Sequence, residues 1–232
     1  MLPIVIIPTY NERLNLPALV TQLLRVEHLQ ILVIDDNSPD GTADEADRLA
    51  AQSAGRLMVR RRRGPKGFGP SYLEGMRAAL EAGATHILQM DADLSHDPAD
   101  VPRLLQASHA ADLVLGSRYV AGGQLRNWPL HRRLLSEGAN LYVRLVTRLP
   151  IRDVTSGFRC WRRELLSSID LNRIVSDGYA FLVEMLYEAH RSGCSIGEVP
   201  IIFVERRIGT SKLSSGVLIE SLIMPWRLRF KG

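Results

Sequence analysis

HILQMDADLSHDP, residues 86–98, is a short apolar run that stops on two carboxylates and restarts at a proline. The run predicts a buried strand over His86–Met90. Pro98 suits the first turn of a helix reaching about His109, where a missing N–H is no loss. The same order recurs upstream. PIVIIPTYNE (3–12) predicts a strand over Pro3–Ile7, a polar end, and a helix from about Leu14 to Val26. QILVIDDNSPDG (30–41) predicts a strand over Gln30–Ile34 followed by a helix over Thr42–Ala54. A strand at Arg56–Arg60, a helix at Pro70–Ala82 and a strand at Leu113–Gly116 continue the alternation. Strands alternating with helices of this length form crossover units, so the class is α/β with a mostly parallel central sheet flanked by helices. In such sheets ligands sit outside the carboxyl ends of strands. The polar clusters Pro8–Glu12, Asp35–Ser38 and Asp91–Asp93 are therefore expected in one site.

The rest of the chain reads differently. Leu130–Leu149 is a long helical pattern, Tyr179–Arg191 a helix, Ile196–Glu205 a strand-like run and Ser214–Ile223 an amphipathic helix. No linker, repeat or low-complexity segment divides the 232 residues, which predicts one domain with halves at 1–117 and 118–232. With 46% hydrophobic and 23% charged residues the chain is not of the disordered class. Two cysteines, Cys160 and Cys194, make neither a disulfide framework nor a zinc site. The opening MLPIVIIPTY lacks the basic start and small-residue cleavage site of a secretory leader, and no apolar run approaches the ~20 residues of a spanning helix.

The net charge of +4 conceals an uneven distribution. Lys and Arg against Asp and Glu number 11 to 15 over 1–117, 10 to 2 over 118–163, 2 to 7 over 164–205 and 6 to 1 over 206–232. Two basic blocks in an otherwise acidic chain mark where an anion or anionic surface would dock. Nucleic acid is not the expected partner: no binding motif accompanies the arginines, and aromatics are only 6%.

Asp91 and Asp93, one residue apart at a strand end, can address one hard cation such as Mg²⁺, which takes oxygen ligands and is commonly shared with substrate phosphates. The alternative is a plain turn before the next helix, with Asp97 as its cap. Asp35 and Asp36 repel one another unless a ligand or counter-charge meets one of them. Asp36 is expected to meet ligand and Asp40 to cap a helix. GPKGFGP (64–70) is a glycine-rich loop carrying Lys66, of the kind whose backbone N–H groups approach phosphates, although it fits neither standard nucleotide fingerprint. The preceding run Arg60–Arg63 reads as a solvated edge.

Together these phrases resemble the polyprenol (dolichyl) phosphate mannose synthases, inverting glycosyltransferases of the GT-A, nucleotide-diphospho-sugar transferase type. The likeness lies in the order PTYNE (8–12), IDDNSPDGT (34–42), KGFG (66–69), MDADLSHDP (90–98), GSRY (116–119), DVTSGFR (153–159), GYAFLVEM (178–185), IGEVPIIFVER (196–206) and GTSKL (209–213). The resemblance implies transfer of mannose from GDP-mannose to a polyprenyl phosphate. It implies that Pro8, Tyr10, Glu12 and Asp36 hold base and ribose, with Lys66, Gly67 and Ala92 along the same pocket. Asp91 and Asp93 would be ligands for Mg²⁺ or Mn²⁺, and Ser95 stands where some members complete the metal shell with glutamine. Arg118, Arg132 and Ser136 would hold the acceptor phosphate, with Arg133 able to replace Arg132. Arg206 and Lys212 would close on phosphates. Phe68, Pro70 and Leu182 depart from the residues usual in the family.

A lipid acceptor requires access to a membrane. Leu134, Leu141, Leu145 and Leu149 keep helical spacing, with Arg133, Arg144 and Arg148 on a separate face, as an in-plane interfacial helix would. Val217, Leu218, Leu222, Ile223 and Trp226 repeat the pattern ahead of Arg227, Arg229 and Lys231, which are able to snorkel. A core-facing helix has the same periodicity, and the basic block favours the anionic surface. The expected location is the cytoplasmic side of a membrane, peripherally bound, directly or through a membrane-anchoring protein partner. Two other readings compete: the same chemistry with a UDP-sugar of glucose or N-acetylhexosamine, and a non-catalytic module that binds nucleotide sugar or lipid phosphate.

Overall fold

A computed structural model describes residues 1–205 and 215–230, with side chains undescribed over 215–221. The chain begins β1 (Pro3–Thr9), α1 (Leu16–Leu23), β2 (Gln30–Asp35), α2 (Thr42–Ala51), β3 (Leu57–Arg61), α3 (Phe68–Glu81) and β4 (His86–Gln89). A 3-10 turn (Pro98–Asp100), α4 (Val101–Ala107) and β5 (Leu113–Ser117) complete the first half. Then come β6 (Gln124–Arg126), α5 (Leu130–Thr147), β7 (Arg159–Arg162), α6 (Arg163–Ser168), α7 (Gly178–Arg191), β8 (Ile196–Pro200), β9 (Ile202–Val204) and α8 (Ser215–Phe230).

Seven strands form one sheet in the order β3-β2-β1-β4-β7-β5-β8, mostly parallel. β1 shows how both faces become covered. Its period of two sends Ile4 and Ile6 into a core shared with Tyr72, Met76 and Phe181 of α3 and α7, and Val5 and Ile7 into a second core with Leu16, Leu19 and Ala46 of α1 and α2. A strand buried on both faces reads as an unbroken apolar run, as this one does.

Besides the short β6 and α6, which were not expected, three features differ from the expected elements. β7 lies antiparallel between β4 and β5, pairing Gln89 with Arg159 and Leu115 with the same residue. Its sequence, RCWR, hides the strand because Arg159 is fully buried in it. The Arg159 guanidinium donates to the carbonyls of Ser156 (2.8 Å), Leu182 (2.8 Å) and Val154 (3.2 Å). Burial pulls its pKa down to about 9. The run Ile196–Glu205 is not one strand: buried Ile201 separates β8, which pairs with β5, from β9, which pairs with β6 in a two-stranded sheet. Finally, α8 continues past Ile223 to Phe230 with Pro225 inside it.

α3 approaches β1 so closely that a Cβ on Gly75 would stand 2.4 Å from Ile6 Cγ2 and 3.2 Å from Ile34 Cγ1. Gly75→Ala must push the helix off the sheet, and overpacking of this kind costs about 1–3 kcal/mol. A lowered urea midpoint with an unchanged m-value is the expected result.

Candidate active site

The loops following β1, β2 and β4 each contain one non-glycine residue in the left-handed region: Asn11 (φ 59°), Asn37 (φ 57°) and Leu94 (φ 61°). For asparagine this is tolerable, whereas for leucine it is strained, and such residues concentrate at functional sites. The turns interlock. Asp36 N–H donates to Thr9 O (2.9 Å), Thr9 Oγ1 to Asp35 Oδ2 (3.1 Å), and Asn11 N–H to Ser38 Oγ (3.1 Å). Ser38 in turn donates to Asp35 from its N–H (3.0 Å) and hydroxyl (2.5 Å). Asp40 is not the N-cap expected of it: that position is Gly41, and Asp40, one residue earlier, accepts from Thr42 N–H at 3.0 Å, while Glu12 accepts from Asn15 Nδ2 at 2.8 Å.

Asp36 is buried, and its partners lie within the chain. One oxygen accepts from Arg62 and the other from Gly67 N–H at 2.8 Å. Arg62 also donates to Glu74 (3.2 Å), Ser71 Oγ (3.2 Å) and Pro65 O (3.2 Å). The expectation of a solvated Arg60–Arg63 edge is thus corrected at Arg62, which is buried and holds the 64–67 loop against the sheet. Lys66 Nζ consequently lies 3.0 Å from the centroid of the Tyr10 ring. Glycine is required on the other side of the loop. A Cβ on Gly67 would meet Asp177 Oδ2 at 2.8 Å, and one on Gly69 would meet Ser176 O at 2.6 Å. Gly69 N–H donates to Asp177 Oδ1 at 2.6 Å.

Asp91 is fixed from two directions. Its N–H donates to His96 Nδ1 at 3.3 Å, and its Oδ1 accepts from the Tyr72 hydroxyl at 3.2 Å. His96 is buried, stacked on Phe158 (5.0 Å) and edge-on to Phe203 (5.4 Å). Burial lowers its pKa, which suits a neutral acceptor. Asp93 Oδ1 accepts from Ser95 N–H at 3.1 Å. The Ser95 hydroxyl is buried with no hydrogen-bond partner among the described residues. Gly157 faces Asp91: a Cβ there would fill the space 3.5 Å from Oδ2 and 3.6 Å from Oδ1.

Arg118 follows β5 and is buried against Asp153, donating from Nε (2.7 Å) and Nη2 (2.6 Å), while its N–H donates to the same carboxylate at 2.9 Å. Burial opposes the Arg118 charge, and the Asp153 carboxylate outweighs it, so the pKa rises. Nη2 also reaches Thr155 Oγ1 (2.8 Å), which accepts from Asn140 Nδ2 (3.2 Å). Ser136 Oγ accepts from the Tyr119 hydroxyl at 2.8 Å. Arg132 pairs with Glu205 and stacks over Trp128 (4.4 Å), while Arg133 pairs with Glu137 along the helix.

The structure therefore places Pro8 near the end of β1 and Tyr10, Glu12, Asp36, Lys66, Gly67, Asp91, Ala92, Asp93 and Ser95 in the strand-end loops, with Arg118 and Ser136 joined through the α5 network. Arg206 and Lys212 lie outside the described residues. Arg62, Tyr72, Asp153 and Asp177 were not anticipated. Asp153 had a visible signal, being one of two acids in the basic block 118–163 and hence a counter-ion. Tyr72 had another, standing four residues after Phe68 on one helix face. A surface groove of about 590 Å³ between α1 and α4, lined by Arg25, Pro98, Leu105 and His109 among others, contains none of the site residues.

Residues 4–170 match the family model of glycosyl transferase family 2. The chain is 46% identical to the polyprenol monophosphomannose synthase of Mycolicibacterium smegmatis, covering 97% of this chain and 87% of that protein. It is 45% identical to the undecaprenyl-phosphate mannosyltransferase of Micrococcus luteus, covering 94% and 90%. Among solved structures, a mycobacterial protein superposes with a TM-score of 0.71 at 21% identity over 98% of this chain and 74% of its own. A mannosyltransferase from Pyrobaculum calidifontis in complex with GDP-Man and Mn²⁺ superposes with a TM-score of 0.60 at 14% identity over 98% and 72%. The two structures share the fold.

The Arg62–Asp36 pair is buried on both sides. Arg62→Ala strands a buried carboxylate and is expected to cost about 3–5 kcal/mol, whereas Arg62→Met combined with Asp36→Leu removes both charges and recovers most of it. Urea unfolding of the two variants checks the contrast.

Proposed function

The chain belongs to glycosyl transferase family 2, and on that premise we propose that it transfers mannose from GDP-mannose to a polyprenyl phosphate, inverting the anomeric centre to give a β-mannosyl phosphoryl lipid. The named relatives support the sugar and the acceptor class. The observation that carries the reading is the 153–157 turn. Its first residue, Asp153, holds Arg118, and its last, Gly157, faces Asp91. An anion-binding guanidinium and an acidic strand end are thereby brought to opposite ends of one short turn.

Pro8, Tyr10, Glu12, Asp36, Lys66, Gly67 and Ala92 line the donor side in this reading. Asp36 acts through the loop it anchors as well as towards nucleotide. The donor diphosphate is anionic and so are Asp91 and Asp93, which calls for a divalent ion between them. The residues fit one: two carboxylates, the unpartnered Ser95 hydroxyl and the space beside Gly157 form a hard-oxygen set. Among the described residues no group of three His, Cys, Asp or Glu side chains could hold a metal by itself, which suits a Mg²⁺ or Mn²⁺ ion shared with substrate. The chemistry such an ion supplies when bound is neutralisation of the diphosphate and of charge on the departing nucleotide.

Arg118, Arg132, Arg133 and Ser136 are assigned to the acceptor phosphate, and Arg206 and Lys212 to closing on phosphates. A phosphate monoester with a second pKa of ~6 arrives largely deprotonated at neutral pH and needs no general base. His96 fits that economy, since its Nδ1 accepts from Asp91 N–H and its ring is enclosed by Phe158 and Phe203. The chain's task is to hold two anions in line, with fixed positive charge where negative charge develops.

Access to lipid is assigned to α5 and α8. Tyr142 Oη donates to Leu222 O at 2.7 Å, setting the helices side by side. The core-facing alternative fails for the leucine stripe: Leu134, Leu141 and Leu145 are 58%, 54% and 70% exposed, while Asn140, Val143 and Thr147 form the buried seam. Leu149 departs from the stripe and is buried. On α8, Leu222, Ile223, Trp226 and Phe230 are exposed beside Arg227 and Arg229. No helix among the described residues is long and apolar enough to cross a membrane. This face is proposed to lie in the plane of an anionic, cytoplasmic-side bilayer surface, alone or beside an anchoring protein.

Thermal stabilisation by GDP-mannose rather than UDP-glucose, each with Mn²⁺, followed by radiolabel transfer to a short polyprenyl phosphate, tests donor and acceptor together. Transfer is expected to vanish in EDTA and in Asp91→Ala, and to survive His96→Gln. The rate should fall as pH drops through ~6 and the acceptor monoester takes up a proton. An α-linked product overturns the single-displacement mechanism.

A further inference from the structure

Tyr72 is wholly buried on α3, yet its hydroxyl is spent on one acceptor outside its own helix, Asp91 Oδ1 at 3.2 Å. Its ring is parallel to Phe181 at 6.0 Å (interplanar angle 4°) and edge-on to Phe68 at 4.9 Å. Phe68 and Phe181 also meet edge-on at 6.2 Å. The phenol is thus clamped between the first turn of its own helix and the first turn of α7. Burial and the neighbouring Asp91 push its pKa well above that of a free tyrosine, and Arg159 works in the opposite direction.

We infer that Tyr72 is a positioning residue for the metal-binding carboxylate of Asp91. The inference rests on the metal reading above. The His96 contact acts on the backbone N–H of Asp91 and not on its carboxylate. The Tyr72 hydroxyl acts on the carboxylate directly by binding Oδ1, and so helps to orient it beside Gly157 before any ligand arrives. Loss of a partner that orients a ligating group in this way typically costs about 10–100-fold in metal affinity. The aromatic clamp explains why the departure at Phe68 is accommodated: the larger ring braces the phenol. Tyr72 touches no reacting atom in this assignment, and its effect passes entirely through Asp91.

Tyr72→Phe removes the hydroxyl and keeps the ring in its clamp. The experiment titrates Mn²⁺ into wild type, Tyr72→Phe and Asp91→Asn in the presence of GDP-mannose, reading free Mn²⁺ by electron paramagnetic resonance. Metal-free GDP-mannose binding is measured alongside. Tyr72→Phe is expected to raise the Mn²⁺ dissociation constant about tenfold or more, with metal-free donor affinity within about twofold of wild type. The Mn²⁺ needed for half-maximal transfer should rise in parallel, with kcat recovering at saturating metal. Loss of Mn²⁺ binding in Asp91→Asn with wild-type binding in Tyr72→Phe overturns the positioning role and leaves the metal reading standing. Unchanged binding in both variants overturns the metal reading and the inference with it. An equal loss of metal-free donor affinity in Tyr72→Phe shows a merely structural role and also overturns the inference.

Discussion

β1, β2, β3 and β4 are neighbours running parallel, so their carboxyl ends lie along one edge of the sheet. On that edge the chain places Asp35 at the end of β2 with Asp36 next to it, and Asp91 and Asp93 after β4. Carboxylates crowded at a partly desolvated edge repel one another, and each needs a donor or a cation. The surrounding loops are organised by meeting that demand. Asp35 is satisfied by Thr9 and Ser38, Asp36 by Arg62 and Gly67, and Asp91 by Tyr72. Each partner also fixes the segment it belongs to, so satisfying the acids and shaping the pocket are the same act. Asp93 accepts from Ser95 N–H, which ties the turn after β4 to the same edge.

The arginines divide into different kinds of work, which a charge count by segment does not separate. Arg159 is sealed inside the sheet on three carbonyls, Arg118 is locked by Asp153, and Arg132 and Arg133 share themselves with Glu205 and Glu137. Arg227 and Arg229 stand in the open on α8. A guanidinium paired in advance is oriented at no further entropic cost when an anion arrives, because its rotamer is already chosen. The pairing also lowers its appetite for any anion that cannot compete with a carboxylate.

The first half of the fold was legible because its strands are apolar on both faces and end in abrupt polar clusters. Periodicity alone recovers β1, β2 and β4 and the convergence of their acids. β7 escaped because a buried arginine interrupts the apolar pattern, and its burial is made possible by carbonyls distant in sequence, above all Leu182. The break at Ile201 escaped because both sides of it are β-branched and apolar, and only the partner strands differ. The orientation of α5 was undecidable from spacing: its apolar stripe is regular, but the buried seam is Asn140, Val143 and Thr147, narrower and more polar than the exposed face. Arg62 was hidden in a run of four arginines, of which it alone turns inward. Residues that act by holding a loop leave little trace in composition.

β5 leaves the sheet at Ser117, and β7 re-enters it at Arg159 directly beside β5, with Leu115 opposite Arg159. Residues 118–158, which carry β6, α5 and the Asp153 turn, are therefore a closed excursion whose two ends are neighbouring positions on adjacent strands. An insertion of this geometry can lengthen, shorten or be exchanged without rethreading a single strand. The edge built from β1, β2 and β4 meets the excursion at Gly157, beside Asp91, but its strands do not depend on the excursion's length. One strand scaffold can thus stay constant while the excursion is remade.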